Sequence, residues 1–184
     1  MKNKRLITLL SIVAITAAVL WAQRQPGLPP SVNRRGVPNW ELDNEMPRDV
    51  FTFVRIRYSS SYGRRGGGWR TDYPDADLNF SYRLQELTSL KVHPEGIILE
   101  LTNPKLFDYP FIYIIEPGAL QFSNEEAVAL RKYLLNGGFL MVDDFWGGYE
   151  YENFAREMKR VFPDRAPKEL PLEHPIFHCV FDLK

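Results

Sequence analysis

Two short runs, Phe111 to Ile115 and Phe139 to Val142, contain no polar position at all and are bounded by chain breakers and charges. Pro110 precedes the first and Glu116-Pro117-Gly118 closes it; Gly137-Gly138 precedes the second and Asp143-Asp144 ends it. A strand with no polar side has no face for water, so both runs demand cover above and below. Burial on both faces is the habit of central strands in parallel sheets, which helices sandwich. These runs exclude a half-exposed antiparallel meander and point to an α/β sandwich.

The segments between the runs read as the helices such a sheet needs. Ser123-Asn124-Glu125-Glu126 has the form of a capping box, followed by Ala127, Leu130 and Leu134 on one face and by Gly137 as a stop. Tyr151, Phe154, Met158 and Val161 mark the apolar stripe of a later helix that Pro163 ends. Upstream, Val50 to Tyr58 alternates as a first strand, and Ile97 to Leu101 is a second. A helix is expected from about Pro74 to Leu90, with Asp72 as cap, Asp75 and Asp77 at its positive end, and Ala76, Phe80, Leu84 and Leu87 facing inward. Ile176 to Leu183 reads as a last strand with no closing element behind it, a pattern that expects further sequence. Strand and helix alternate, as βαβ units with right-handed crossovers require.

The 184 residues suit one domain plus accessory sequence at the start. Lys2, Lys4 and Arg5 precede an apolar run from Leu6 to Ala22, the pattern of a secretory signal or a short membrane anchor. Seventeen residues is short for about 30 Å of hydrocarbon, and Leu20 stands at the −3 position before Ala22 where a small residue is wanted. The chain is therefore expected to be exported, either periplasmic or anchored on the outer face of the inner membrane. Residues 24–47, with Pro26, Pro29, Pro30, Pro38 and Pro47, read as a linker, and the domain is expected over 48–184. After the first 23 residues, 20 basic groups face 23 acidic ones, which argues against nucleic-acid binding. The single cysteine, Cys179, excludes an internal disulfide and a cysteine-built zinc site, and alternation in the last strand expects it buried.

The stretches Phe53-Val54-Arg55-Ile56, Trp69-Arg70-Thr71-Asp72-Tyr73-Pro74-Asp75-Ala76-Asp77, Phe111-Ile112-Tyr113, Gly137-Gly138-Phe139-Leu140-Met141-Val142-Asp143-Asp144-Phe145-Trp146-Gly147 and Leu172-Glu173-His174-Pro175-Ile176-Phe177 occur in order. From about Asp49 onward the chain resembles a bacterial envelope family known as domain of unknown function 4159. That family looks like a branch of the class I glutamine amidotransferase-like superfamily, relatives of the trehalose-utilisation proteins. The resemblance implies a three-layer, flavodoxin-like sandwich with a mostly parallel sheet and an envelope location; it implies no activity. Amidotransferases carry a nucleophilic cysteine on a tight strand-to-helix turn, whereas the comparable turn here is Asp143-Asp144-Phe145-Trp146-Gly147. Their thiolate chemistry is not available at that position.

Ligands of open α/β sheets collect beyond the carboxyl ends of the strands, so the candidate site follows from the elements. Asp143 and Asp144 point to opposite faces if both lie on the strand. Either of them is better paired with Glu116, which ends the neighbouring run, and such a pair suits proton sharing or a hard cation. The alternative is structural: Asp143 or Asp144 caps the helix near Tyr149 while Glu116 bonds loop amides. The loop Gly63-Arg64-Arg65-Gly66-Gly67-Gly68-Trp69-Arg70 offers Arg64, Arg65 and Arg70 to an anion and Trp69 to a ring, although three glycines also suit a merely mobile loop. It has neither a nucleotide P-loop ending nor a dinucleotide fingerprint. The expected pocket thus spans Tyr58–Arg70, Glu116–Gly118 and Asp143–Gly147, with Trp146 among its ligand-binding candidates.

Asp72, Asp75 and Asp77 are better explained by capping than by a cation. His174 and His178 flank Pro175, which forbids the helix that an HExxH zinc site needs. Two functions are compatible with this inventory. One is an exported ligand-binding or interaction module, taking a small molecule or an envelope protein, with no cofactor and no membrane contact beyond the N-terminal segment. The other is a hydrolase of a sugar or cell-wall fragment using Glu116 with Asp143 or Asp144, with or without a divalent cation.

Overall fold

The computed structural model describes residues 33–42, 49–60 and 68–179. The apolar N-terminal run, most of the linker, Arg64, Arg65 and Val180 to Leu183 of the expected last strand lie outside the described residues. Among the described residues, no helix is long and apolar enough to cross a membrane.

Four strands form one parallel sheet: β1 (Val54–Ile56), β3 (Ile97–Leu99), β4 (Phe111–Ile115) and β6 (Phe139–Asp143), in the order β3-β1-β4-β6. Counting sheet strands along the chain, the order is 2-1-3-4, the first four strands of the flavodoxin-like arrangement. Two further short strands, β2 (Ser59–Ser60) and β5 (Leu120–Gln121), pair antiparallel in a separate ribbon. The two apolar runs that demanded cover are neighbours in register, from Phe111 opposite Phe139 to Ile115 opposite Asp143.

Helix α1 (Asp75–Leu87) covers one face of the sheet, while α2 (Asn124–Leu135) and α3 (Gly148–Val161) cover the other. The α1 side is an aromatic layer in which Phe53, Tyr113 and Ile115 pack with Phe51, Phe80, Phe111 and Met141. The opposite side holds the larger core, where Val54, Ile56, Ile112 and Ile114 meet Ala127 and Leu130 of α2 and Phe154, Met158 and Val161 of α3. The architecture is therefore an α/β sandwich of three layers.

Local chemistry explains where the elements start. Ser123 accepts from the Glu126 amide while the Glu126 carboxylate accepts from the Ser123 amide, the reciprocal box read from the sequence. Helix α1 begins differently: Pro74 stands at its N-cap position with no side-chain cap, and exposed Asp72 is not the capping residue. Its inward stripe is also rotated from the expected one, with Asp77, Leu78 and Ser81 buried and Leu87 50 % exposed. A paired charge at Asp77 takes the core position that an apolar periodicity count assigns elsewhere. Tyr151, expected in the stripe of α3, is likewise exposed.

Residues 33–42 lie against this body, with Arg34 Nη1 donating to Pro94 O at 2.6 Å and Trp40 Nε1 to Val92 O at 2.7 Å. The expected last strand is not formed over its first residues. His174 caps a short 3-10 turn, Pro175–His178, by accepting from the Ile176 amide. Proline at the first helical position favours that turn over an extended start. Cys179, expected to be buried, is exposed there.

Candidate functional site

Because the four strands are parallel, β1, β4 and β6 all deliver their carboxyl ends to one rim of the sheet. Backbone there leaves the ordinary regions at acidic residues: Asp72 (φ 54), Glu116 (φ 47) and Asp144 (φ 67) are left-handed. A non-glycine residue in that region costs about 1 kcal/mol or more, and such strain gathers at functional sites. Two of the three directly follow strand ends, Glu116 after β4 and Asp144 after β6.

Beneath the rim sits a buried ion pair that the sequence analysis missed. Arg55 in β1 is wholly buried, and its Nε donates to Asp77 Oδ1 at 2.9 Å while Nη2 donates to the same carboxylate. Nη1 donates to the carbonyls of Trp69 and Thr71 at 2.9 and 3.0 Å, so one guanidinium ties the loop of residues 68–73 to the sheet and to α1. It also lies over the Tyr113 and Tyr73 rings at 5.2 and 5.8 Å. Burial pushes the Asp77 carboxyl up from its ordinary value even though Arg55 pulls the other way.

The clamped loop presents Thr71, whose hydroxyl donates to Glu116 Oε2 at 2.8 Å. Gly68 in the same loop passes so close that a Cβ would meet the Tyr58 hydroxyl at 2.3 Å and the Glu116 carbonyl at 3.1 Å. The Tyr58 hydroxyl donates into the carbonyls of Ile115 and Glu116, at 2.8 and 2.6 Å. Its burial, reinforced by the Glu116 charge, raises its pKa well above that of an ordinary phenol.

Glu116 and Asp143 are brought together across the strand pair, since the Glu116 amide donates to the Asp143 carbonyl at 3.1 Å. Asp143 Oδ2 accepts from the Tyr113 hydroxyl at 3.3 Å, and Oδ1 accepts from the Asp144 amide at 2.8 Å. Burial first, and the Asp143 charge second, raise the Tyr113 pKa above the usual phenol value. Neither aspartate caps α3, whose N-cap position is Gly147 (φ 82) with no side-chain cap. Among the described residues the Glu116 side chain accepts from the Thr71 hydroxyl. The capping role expected for Asp143 or Asp144 is thus not the one observed, while the loop 61–67 beside Glu116 lies outside the described residues.

A further carboxylate joins the rim from α3. Glu150 Oε2 accepts from the Trp146 amide at 2.8 Å, and its chain lies on Gly118, where a Cβ would come within 2.3 Å of Cδ. Phe145 turns inward onto Phe154, 5.3 Å between centroids, which leaves Trp146 71 % exposed and Tyr149 76 % exposed beside the carboxylates. Trp69 has a different fate: it packs against the core with Arg70 over its ring at 5.6 Å. Arg64 and Arg65 lie outside the described residues.

The described rim therefore sets Asp72, Glu116, Asp143, Asp144 and Glu150 against exposed Arg70, while Arg55 is spent on Asp77 and the loop carbonyls. Such a surface repels anions and offers acceptors to hydroxyls or cations. No three His, Cys, Asp or Glu groups converge as a metal cage among the described residues. Sequence reasoning found Glu116, Asp143, Asp144 and Trp146 from their place after apolar runs. It missed Thr71, Tyr113 and Glu150, which are joined to them only in space. Comparison with known proteins returns a family model, Domain of unknown function (DUF4159), that matches residues 52–184. No curated protein matches the chain.

Proposed function

This chain belongs to the DUF4159 family of domains of unknown function, and we propose that it is an exported ligand-binding module of the bacterial cell envelope. In this reading the amidotransferase-like architecture has been turned from catalysis to binding. The basic residues Lys2, Lys4 and Arg5 before the apolar run support export. The absence of cysteine from the turn after β6 removes the thiolate reaction.

One observation carries the binding reading: strained, acidic residues stand at the exits of adjacent parallel strands, next to two exposed aromatic rings. Carboxylates that accept from hydroxyls and rings that lie on apolar sugar faces make a surface suited to a neutral or amino-bearing carbohydrate. The charges of the described residues disfavour phosphorylated ligands. A hydrolase draws no comparable support, since Glu116 is already engaged by Thr71 and Asp143 by Tyr113.

The test is thermal stabilisation of the chain by oligosaccharides of glucose and of N-acetylglucosamine, choline, calcium and inorganic phosphate. Stabilisation by a sugar, absent with phosphate and lost in Asp143→Asn and Trp146→Ala, is the expected result. Stabilisation by phosphate alone, or by nothing in the panel, overturns the reading.

A further inference from the structure

At the amino ends of β4 and β6, away from the rim, a cavity of about 320 Å³ lies between the 3-10 turn Pro104–Asp108 and the last turn of α2. That volume is at the lower end of small-molecule pockets, which begin at about 300 Å³. Two aromatic rings make a corner of it: Phe107 meets Tyr133 edge-on at 64°, with 6.2 Å between centroids. Tyr133 is seated against Gly138, where a Cβ would come within 2.2 Å of the ring, while Phe107 is 44 % exposed and keeps ring surface open to a ligand. The hydrogen-bond inventory of the lining is one-sided. The amides of Tyr109, Gly137 and Gly138 donate to the carbonyls of Leu106, Leu134 and Tyr133. Asn136 gives both its amide and its Nδ2 to the Lys132 carbonyl, and the Tyr133 hydroxyl donates to the Tyr109 carbonyl at 2.8 Å. With those donors spent, the lining holds little for an anion. Asp108 is its only charged residue, and the C-terminus of α2 adds the negative end of a helix dipole. A cation is the complementary occupant, and the chain itself sets one on this aromatic corner: Lys132 Nζ lies over the Phe107 ring at 5.2 Å.

We propose that this cavity binds the quaternary ammonium group of a small, choline-like molecule. A primary ammonium brings three N–H donors that each want an acceptor, whereas the carbonyls of Tyr109, Pro110 and Tyr133 already accept from the Tyr133 hydroxyl and from the amides of Phe139 and Gly138. A quaternary nitrogen has no donor to satisfy. Its methyl shell carries the positive charge onto ring faces, an attraction that grows as water is excluded, and Asp108 supplies the counter-charge. Lys132 is the opposing feature, since its ammonium adds like charge beside the same ring. The cavity shares no residue with the rim, and the proposal does not depend on what the rim binds.

Amide chemical shifts of the full chain, followed during titration with choline, with butylammonium and with dimethylbutanol, the uncharged carbon isostere of choline, test it. Choline is expected to produce saturable shifts at Phe107 to Tyr109 and Asn136 to Gly138, with dimethylbutanol weaker by roughly three- to thirtyfold and butylammonium also weaker than choline. Phe107→Leu weakens choline by a similar factor, and Asp108→Asn weakens it by about two- to fivefold. Lys132→Met, at an exposed position of α2, tightens it by about twofold, a gain that loss of structure does not produce. Unmoved shifts at Ile112 and Ile114, buried in β4, show that each variant is folded. Equal binding of dimethylbutanol, tighter binding of butylammonium, no loss in Phe107→Leu, weaker binding in Lys132→Met, or choline shifts confined to the rim or another surface each overturn the proposal.

Discussion

Replacing Arg55 by methionine removes the guanidinium that holds the 68–73 loop, α1 and the sheet together. Asp77, 2 % exposed, is left as a buried carboxylate without a partner, and the carbonyls of Trp69 and Thr71 lose their donor. Breaking one side of a buried pair costs about 3 to 5 kcal/mol, a large part of the roughly 5 to 15 kcal/mol that keeps a domain folded. For a domain of this size the loss is a melting-temperature drop of about 10 to 25 °C. Burial already raises the Asp77 pKa in the native chain, and without Arg55 only its own backbone amide opposes that rise. A carboxyl whose folded pKa is raised binds its proton more tightly in the folded state, so its contribution to stability is lost as pH climbs through that pKa. The deficit of Arg55→Met is therefore largest at neutral to alkaline pH and shrinks on acidification. Arg55→Met/Asp77→Leu recovers most of the stability, since an apolar pair does without the desolvation penalty, yet leaves the loop carbonyls untied. Urea titrations of the single and double variants at pH 5 and pH 8 measure both effects. A single-variant deficit under about 1 kcal/mol, or one equal at the two pH values, refutes the clamp.

Glu116→Gly should be more stable than Glu116→Ala by about 1 kcal/mol, because both lose the Thr71 contact but only alanine retains a strained left-handed backbone; equal urea midpoints count against strain at the rim. Gly118→Val must displace Glu150 and release the Trp146 amide, at a cost of about 1 to 2 kcal/mol, and an unchanged midpoint contradicts that close approach. Tyr58, Tyr73 and Tyr113 titrate above the ordinary phenol value, and Tyr133 is pushed up to about 12, in each case first by burial. Raised folded values mean their contribution is intact below about pH 10 and is lost as pH rises through the folded pKa, so the urea midpoint should fall between pH 9 and pH 11.5; a flat profile contradicts it.

The sheet was legible because its evidence is local. Two apolar runs bounded by breakers identify β4 and β6 without reference to anything distant, and Ser123 with Glu126 identifies α2 from the chemistry of a single turn. Position in the site was legible for the same reason, since Glu116 and Asp143 each follow a visible strand. The hidden part is what only contacts create. Arg55 interrupts an otherwise apolar stretch, Phe53 to Ile56, and a lone cation there is a signal of a buried partner; Asp77 was absorbed into a capping argument that suited its position near a helix start. Thr71, Tyr113 and Glu150 belong to three separate elements and meet the rim only through folding. The first residues of the expected final strand form a 3-10 turn instead for a further local reason, proline at the start of Pro175–His178.

The central claim is that the carboxyl ends of β4 and β6 form a binding rim for an uncharged or amino-bearing sugar. Amide chemical shifts of the chain, followed during titration with an N-acetylglucosamine oligosaccharide, test it most directly. The account predicts saturable shifts gathered at Thr71, Glu116 to Gly118 and Asp143 to Glu150, with the amides of Val54 and Leu130 in the core unmoved. Shifts confined to other surfaces, or the same rim shifts produced by inorganic phosphate, contradict it.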